Sequence, residues 1–290
     1  MRPCTINAKL IASLIFVGAL ATSFAYAQPI TDGFMKGKGN GSLVVSYSWE
    51  RYDEFYAGST LREGIDTGLR TWGGEITTQS VSLYGTIGLT DNVDIIVNVP
   101  YITVQGAGVD TVSQEDSGLQ DASLFVKWRP LLIETGGGNL SFLGALGFAT
   151  PLSDYEEDLP LSIGNQSTRA DLRLITHFQS NAGLFGELQA GYSLRTNNVP
   201  NATLLSAKIG YAASAFYVDL WSETQISDSD AIDIGGGPFN ETRVNYTQIG
   251  ASLFVPVASG FGVSAGVGRY VSGRNVGLGT RFSGGVVYSF

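Results

Sequence analysis

The stretch Thr280-Arg-Phe-Ser-Gly-Gly-Val-Val-Tyr-Ser-Phe290 alternates strictly at its end. Val286, Tyr288 and Phe290 fall on one face and Gly285, Val287 and Ser289 on the other. A period of two is that of an extended strand whose faces meet different surroundings. The chain stops on an aromatic ring at the edge of the apolar face.

Working back from that strand, the same period recurs in segments of about ten residues. Leu43, Val45, Tyr47 and Trp49 alternate with Val44, Ser46, Ser48 and Glu50. Ala122, Leu124, Val126 and Trp128 alternate with Asp121, Ser123, Phe125, Lys127 and Arg129. Twelve such segments are expected, near 42–53, 76–89, 92–104, 117–129, 139–150, 166–179, 184–195, 202–211, 215–225, 243–255, 260–271 and 276–290. Connections alternate between short ones, such as Thr90-Asp91, and long ones, such as Glu54 to Glu75; Pro130 to Gly138 is the exception, long for its side.

Rings gather at the ends of the apolar faces: Tyr47, Trp49, Tyr101, Trp128, Phe148, Phe178, Tyr192, Tyr211, Phe216 and Tyr288. Aromatic belts of this kind suit the two interfaces of a bilayer. Strands cross lipid only as a closed sheet, because an open edge leaves backbone polar groups unpaired. The fold class read from these features is all-β, a transmembrane antiparallel up-and-down β-barrel of about twelve strands.

Composition agrees. The 290 residues include 38 glycines, are 43% hydrophobic and only 15% charged, and have a mean hydropathy of +0.12. One stretch alone reads as an apolar helix. Arg2 and Lys9, the run Leu10 to Leu20 and Ala25-Tyr26-Ala27 have the order of an export signal cleaved after Ala27, leaving 28–40 as a short periplasmic tail, favoured over a plug folded inside, and 41–290 as the barrel. The one cysteine, Cys4, lies within that signal, so the exported chain has neither disulfide nor thiolate. Acidic residues outnumber basic ones, 26 to 17, which argues against a nucleic-acid partner.

Two stretches carry a narrower resemblance: Tyr84-Gly-Thr-Ile-Gly-Leu-Thr-Asp-Asn-Val-Asp-Ile-Ile-Val-Asn-Val-Pro-Tyr101 and Gly118-Leu-Gln-Asp-Ala-Ser-Leu-Phe-Val-Lys-Trp-Arg129. They resemble the outer-membrane transporters named for a meta-pathway of phenol degradation, whose pattern is a GLTD…PY hairpin followed by a GxGD…KY/W strand. Gln120 stands where that family tends to have glycine. The resemblance implies uptake of small, often aromatic compounds across the outer membrane. The last strand likewise resembles those of outer-membrane barrels generally, which implies that Tyr288 and Phe290 are read by the barrel assembly machinery.

Alternation assigns the opposite face to the lumen. Seven acids fall there, Glu50, Asp94, Asp121, Asp171, Glu187, Asp219 and Glu223, with seven bases, Lys127, Arg129, Arg169, Arg173, Arg195, Lys208 and Arg281. Arg169, Arg173 and Arg195 are expected on one wall, opposed by Asp219, Glu223 and, across the closure, Glu50. Such a wall orients a polar solute, or its charges merely pair and fill the bore. Inward rings, Tyr52, Tyr84, Phe125, Tyr217, Trp221 and Tyr246, either offer an aromatic solute a path or pack against loops. His177 is the chain's one histidine, expected inward and near Glu187, which leaves little for acid–base catalysis.

The acidic runs Asp154, Glu156, Glu157, Asp158 and Asp228, Asp230, Asp233 read as solvated outer loops beside lipopolysaccharide. No metal, cofactor or enzyme activity is expected. The function so read is a passive channel for small solutes, aromatic or hydrophobic compounds among them; the competing reading is a structural or adhesive barrel with a closed lumen.

Overall fold

A computed structural model describes residues 29–63, 75–107, 113–157, 162–228, 230–233 and 238–290. The expected signal and its cleavage site lie outside the described residues. The strands are β1 (Gly41–Tyr52), β2 (Glu54–Ala57), β3 (Thr60–Glu63), β4 (Ile76–Thr90), β5 (Val93–Ala107), β6 (Ser113–Leu119), β7 (Asp121–Thr135), β8 (Gly138–Pro151), β9 (Arg169–Ser180), β10 (Leu184–Arg195), β11 (Ala202–Ala212), β12 (Tyr217–Ser227), β13 (Asn245–Ala258), β14 (Phe261–Arg274) and β15 (Thr280–Ser289). Each main strand pairs antiparallel with its chain neighbours, and β15 pairs with β1, so the sheet closes. Because β6 and β7 share one position beside β5, the barrel has twelve staves.

That shared stave is broken at Gln120, whose N–H donates to the Pro100 carbonyl (3.0 Å) while its own carbonyl accepts from Leu152 N–H (3.3 Å). The break falls where the resemblance departs from glycine. The long connection expected at Pro130 to Gly138 is instead strand: β7 runs on to Thr135 past an irregularity between Trp128 and Leu131, and a two-residue Gly136-Gly137 turn enters β8. Residues 276–279, expected to open the last strand, lie outside it, and Val276 packs inward against Tyr246 and Tyr270.

The partition of side chains inverts that of a soluble protein. Leu146 and Leu188 are each 65% exposed on the outside, whereas Lys127 is 2%, Arg281 3% and Asp219 1% exposed on the inside. An apolar band of this extent requires lipid. Short turns and both described ends of the barrel chain lie at one rim and the long connections at the other, the asymmetry that places short turns toward the periplasm. At the outer rim, Tyr52, Phe55, Ile76, Ile102, Val104, Tyr155 and Ile163 form one apolar cluster, and Tyr246, Tyr270 and Val276 another. The hairpin β2–β3 contributes Phe55, whose backbone bridges Gly277.

Leu174 lies midway along β9 and faces lipid, whereas Val257 lies at the short-turn rim of β13. Leu174→Arg is expected to lower folding stability by about 2–4 kcal/mol and Val257→Arg by about 0–1 kcal/mol. Urea titration of the barrel in lipid vesicles reads both; equal losses would contradict this placement of the bilayer.

Candidate lumen site

The principal difference from the sequence reading lies before β1. Residues 29–40 do not hang below the barrel as a tail. They run through its interior, from Asn40 at the short-turn rim to Pro29 at mid-height.

The grip on this segment is mainly polar. Lys38 N–H donates to Asp91 (3.0 Å), Lys36 N–H to Asp94 (3.1 Å) and Gly33 N–H to Glu187 (2.7 Å). Thr31 exchanges two bonds with Gln189: its hydroxyl donates to Oε1 (3.0 Å) and its carbonyl accepts from Nε2 (2.8 Å). Lys127 Nζ reaches Asp94 (3.4 Å) on its own sheet, together with Asp32 (3.1 Å) and the Phe34 carbonyl (2.5 Å) of the segment. Lys127 and Asp94 thus find charged partners in the low-dielectric interior, as buried ions require.

One ring anchors the segment. Phe34 meets His177 edge-on (4.5 Å between centroids), Phe185 (5.1 Å) and Tyr217 (6.1 Å), while Phe185 and Tyr217 stack on each other at 5.4 Å. Above it Ile30 packs on the cluster of Ile96, Phe125 and Ala145, beside Tyr84. His177 Nδ1 lies 3.2 Å from Glu187, the proximity expected from the sequence. Gly33 has no room for a side chain, because a Cβ there would lie 2.3 Å from the Cβ of His177.

The arginine wall forms. Arg169 and Arg195 are register partners on β9 and β10, and Arg173 stands two repeats of the pleat lower, opposite Gly191. Asp171 lies between, 3.6 Å from Arg169 and 4.0 Å from Arg173. Arg195 donates to Gln225 (2.8 Å), and Glu223 accepts from the Tyr246 hydroxyl (3.1 Å). The three arginines, Asp171, Glu223 and Tyr246 surround one cavity with Pro29 and Ile30, of about 40 Å³. A cavity of that size takes a few water molecules, at about 10–15 Å³ each, so the segment leaves no room for a larger solute.

The carboxylates expected opposite this wall are only partly there. Glu223 is at the cavity, but Asp219 turns to Lys208 (3.6 Å) and the Tyr217 hydroxyl (2.5 Å), and Glu50 pairs with Arg281 (2.6 Å) across the β1–β15 seam. Cross-strand neighbours win because they hold a fixed short distance. Asp121 accepts from Tyr155 (2.6 Å), a phenol pushed well above its ordinary range by burial and then by that carboxylate. Arg129 sits at the rim on Asn92 (3.0 Å).

The rings expected to form a path are likewise dispersed. Phe125 lies under the Arg173 guanidinium (5.8 Å) and Tyr84 belongs to the same cluster, whereas Tyr217 holds Phe34 and Trp221 packs against Gly250. Tyr288 and Phe290 extend along the short-turn rim beside Phe261, and Gly41 and Phe290 exchange backbone hydrogen bonds of 2.9 and 3.0 Å that close the seam. In the outer loops, Asp228 accepts from Tyr192 (2.9 Å), and Asp233 is held below the usual carboxylate range by its hydrogen bonds from Arg274. Asp158 lies outside the described residues. Among the described residues no group of three metal-ligating side chains occurs.

Gly33→Leu is expected to expel the N-terminal segment from the lumen without touching the sheet. Planar-bilayer recording should show a several-fold larger single-channel conductance than the parent barrel. An unchanged conductance would mean that the segment does not limit the bore.

A family model described as "Putative MetA-pathway of phenol degradation" matches residues 41–284. The fold is similar to an outer membrane channel from Pseudomonas putida F1, with a TM-score of 0.70 at 15% identity, covering 90% of this chain and 100% of that one. It is also similar to the KdgM porin (TM-score 0.50, 10% identity, 85% and 99% covered) and the NanC porin (TM-score 0.50, 9% identity, 85% and 98% covered). No curated protein sequence matches the chain. At such identities the structural likeness speaks for the fold, whereas the family match runs from the first residue of β1 into β15. The chain belongs to the family of the MetA-pathway of phenol degradation, built as an outer-membrane β-barrel.

Proposed function

We propose that this protein is an outer-membrane channel for passive passage of small molecules, closed at rest by its own N-terminal segment, and that small aromatic anions are the solutes its lumen fits. The observation that carries this reading is the polar character of the contacts holding residues 31–38 inside the bore. A permanent filler gains most from apolar packing, whereas these hydrogen bonds can be exchanged for bonds to water once the bore fills with it. Withdrawal exposes Arg169, Arg173 and Arg195 to the bore, together with Tyr246 and Phe125. Guanidinium groups bind carboxylates in paired geometry and stack on rings, so the same wall serves both ends of an aromatic acid. Passage needs no covalent step, cofactor or energy source. Similar folds are named as channels and porins, in keeping with this role.

A second reading, a structural or adhesive barrel with a closed lumen, draws on the two apolar clusters at the outer rim. In either case Tyr288 and Phe290 serve as the signal for the barrel assembly machinery, and the outer surface meets lipopolysaccharide.

The test is single-channel recording of the exported chain and of a variant lacking residues 28–36, with benzoate or benzyl alcohol added on one side. The channel reading expects a large conductance in the truncated barrel, block by benzoate rather than benzyl alcohol, and about tenfold weaker block in Arg173→Ala, the effect of losing one charge-assisted contact. A truncated barrel that folds, as shown by heat-modifiable migration, yet carries no current would establish the closed barrel. Block by benzyl alcohol alone would replace the arginine wall with an apolar route.

A further inference from the structure

We propose that the lipid-facing wall formed by β11 to β14 binds a phosphorylated, acylated glycolipid of the outer leaflet, with Arg269 as its phosphate contact. Register places Ala207, Ser222, Ile249 and Arg269 in one outward row, and Ile209, Leu220, Ala251 and Val267 in the next. Small side chains at Ala207, Ser222 and Ala251 sit among larger neighbours. They leave a groove of about 590 Å³ with an almost entirely apolar lining. That volume falls within the range of about 300–1,000 Å³ common to ligand pockets.

Arg269 closes the outer end of this groove. It is exposed on the lipid-facing side between Val267 and Val271, where a guanidinium is unfavourable unless it meets an anion or the headgroup layer. Its Nη1 donates to the Thr280 hydroxyl (3.1 Å), and no carboxylate pairs with it among the described residues. Three other arginines of the outer half do pair with carboxylates: Arg51 with Glu75, Arg274 with Asp233 and Arg281 with Glu50. One row toward the membrane interior, Phe282 lies beside Val267 and stacks on Trp49 (6.3 Å), an aromatic pair of the kind that marks an interface.

An apolar groove leading up to an unneutralised guanidinium and a hydroxyl matches an acyl chain whose headgroup carries phosphate. Position selects the leaflet, since Arg269 lies in the long-loop half of β14. A neutral hydrophobic solute would gain nothing from the cation. A second lipid-facing groove of about 500 Å³, around Trp128, Phe142, Leu174 and Leu188, has no charged side chain in its lining and supplies an internal control.

The experiment is native mass spectrometry of the delipidated barrel titrated with diphosphoryl lipid A, with its dephosphorylated form and with phosphatidylglycerol. The expected result is one tightly held diphosphoryl lipid A, bound at least about tenfold more weakly when dephosphorylated or when Arg269→Gln removes the charge-assisted contact. Ala251→Phe, which fills the groove without altering charge, is expected to weaken binding as well, while Leu188→Trp in the control groove leaves it unchanged. Heat-modifiable migration verifies that each variant is folded. Undiminished binding in Arg269→Gln or Ala251→Phe would overturn the site. Phosphatidylglycerol held as tightly as diphosphoryl lipid A would overturn its assignment to the outer-leaflet glycolipid. Neither outcome depends on whether the lumen conducts.

Discussion

The pairing of β1 with β15 is the constraint on which the rest depends. In hydrocarbon every backbone N–H and C=O needs a partner within the protein, and a sheet meets that demand only by closing on itself. The seam is sealed from end to end: Phe290 and Gly41 exchange backbone hydrogen bonds at the short-turn rim, and Glu50 pairs with Arg281 near the outer rim. Closure defines an inside, and that inside is where the chain's ionic groups go.

A closed sheet of twelve staves has more interior than its inward side chains fill, since filled barrels have about eight. Two devices occupy the excess here. Loop and strand-end residues such as Phe55, Tyr155 and Val276 cap the outer mouth. Residues 29–40 thread the lower half, and their backbone donors satisfy carboxylates that a wider, water-filled bore would leave to solvent. The two devices differ in chemistry. The apolar caps gain from excluding water, whereas the threaded segment makes bonds that water also makes, and this difference is why the segment is read as the movable part.

The outer and inner surfaces of the same strands therefore carry separate tasks. Trp221 faces Gly250 inside, while its chain neighbours Leu220 and Ser222 border the lipid-facing groove outside. Arg173 and Arg195 lie at the interior cavity and Arg269 on the lipid-facing wall, so cations of one barrel meet two different surroundings. Period-two geometry makes this separation possible, because adjacent residues never share a face.

Alternation alone told the outward from the inward face of most strands, and with it which charges point into the lumen, because it is a local property that two unlike surroundings impress on a strand. Ala122 to Trp128 and Leu43 to Trp49 needed no tertiary information to be sorted into outward and inward sets. His177 beside Glu187 and the placing of Arg169, Arg173 and Arg195 on one wall also followed from strand order and direction. What only the tertiary structure decided was which inward groups meet. Glu50 and Asp219 left the arginine wall for Arg281 and Lys208, since register shifts of two residues keep every side chain on its face and so are invisible to periodicity, yet they set ion-pair distances. The place of residues 29–40 was equally hidden. A dozen residues without a repeat give no signal of their own, and Asp32, Gly33 and Phe34 acquire meaning only against Lys127, His177 and Tyr217, which strand closure brings to them from distant parts of the chain.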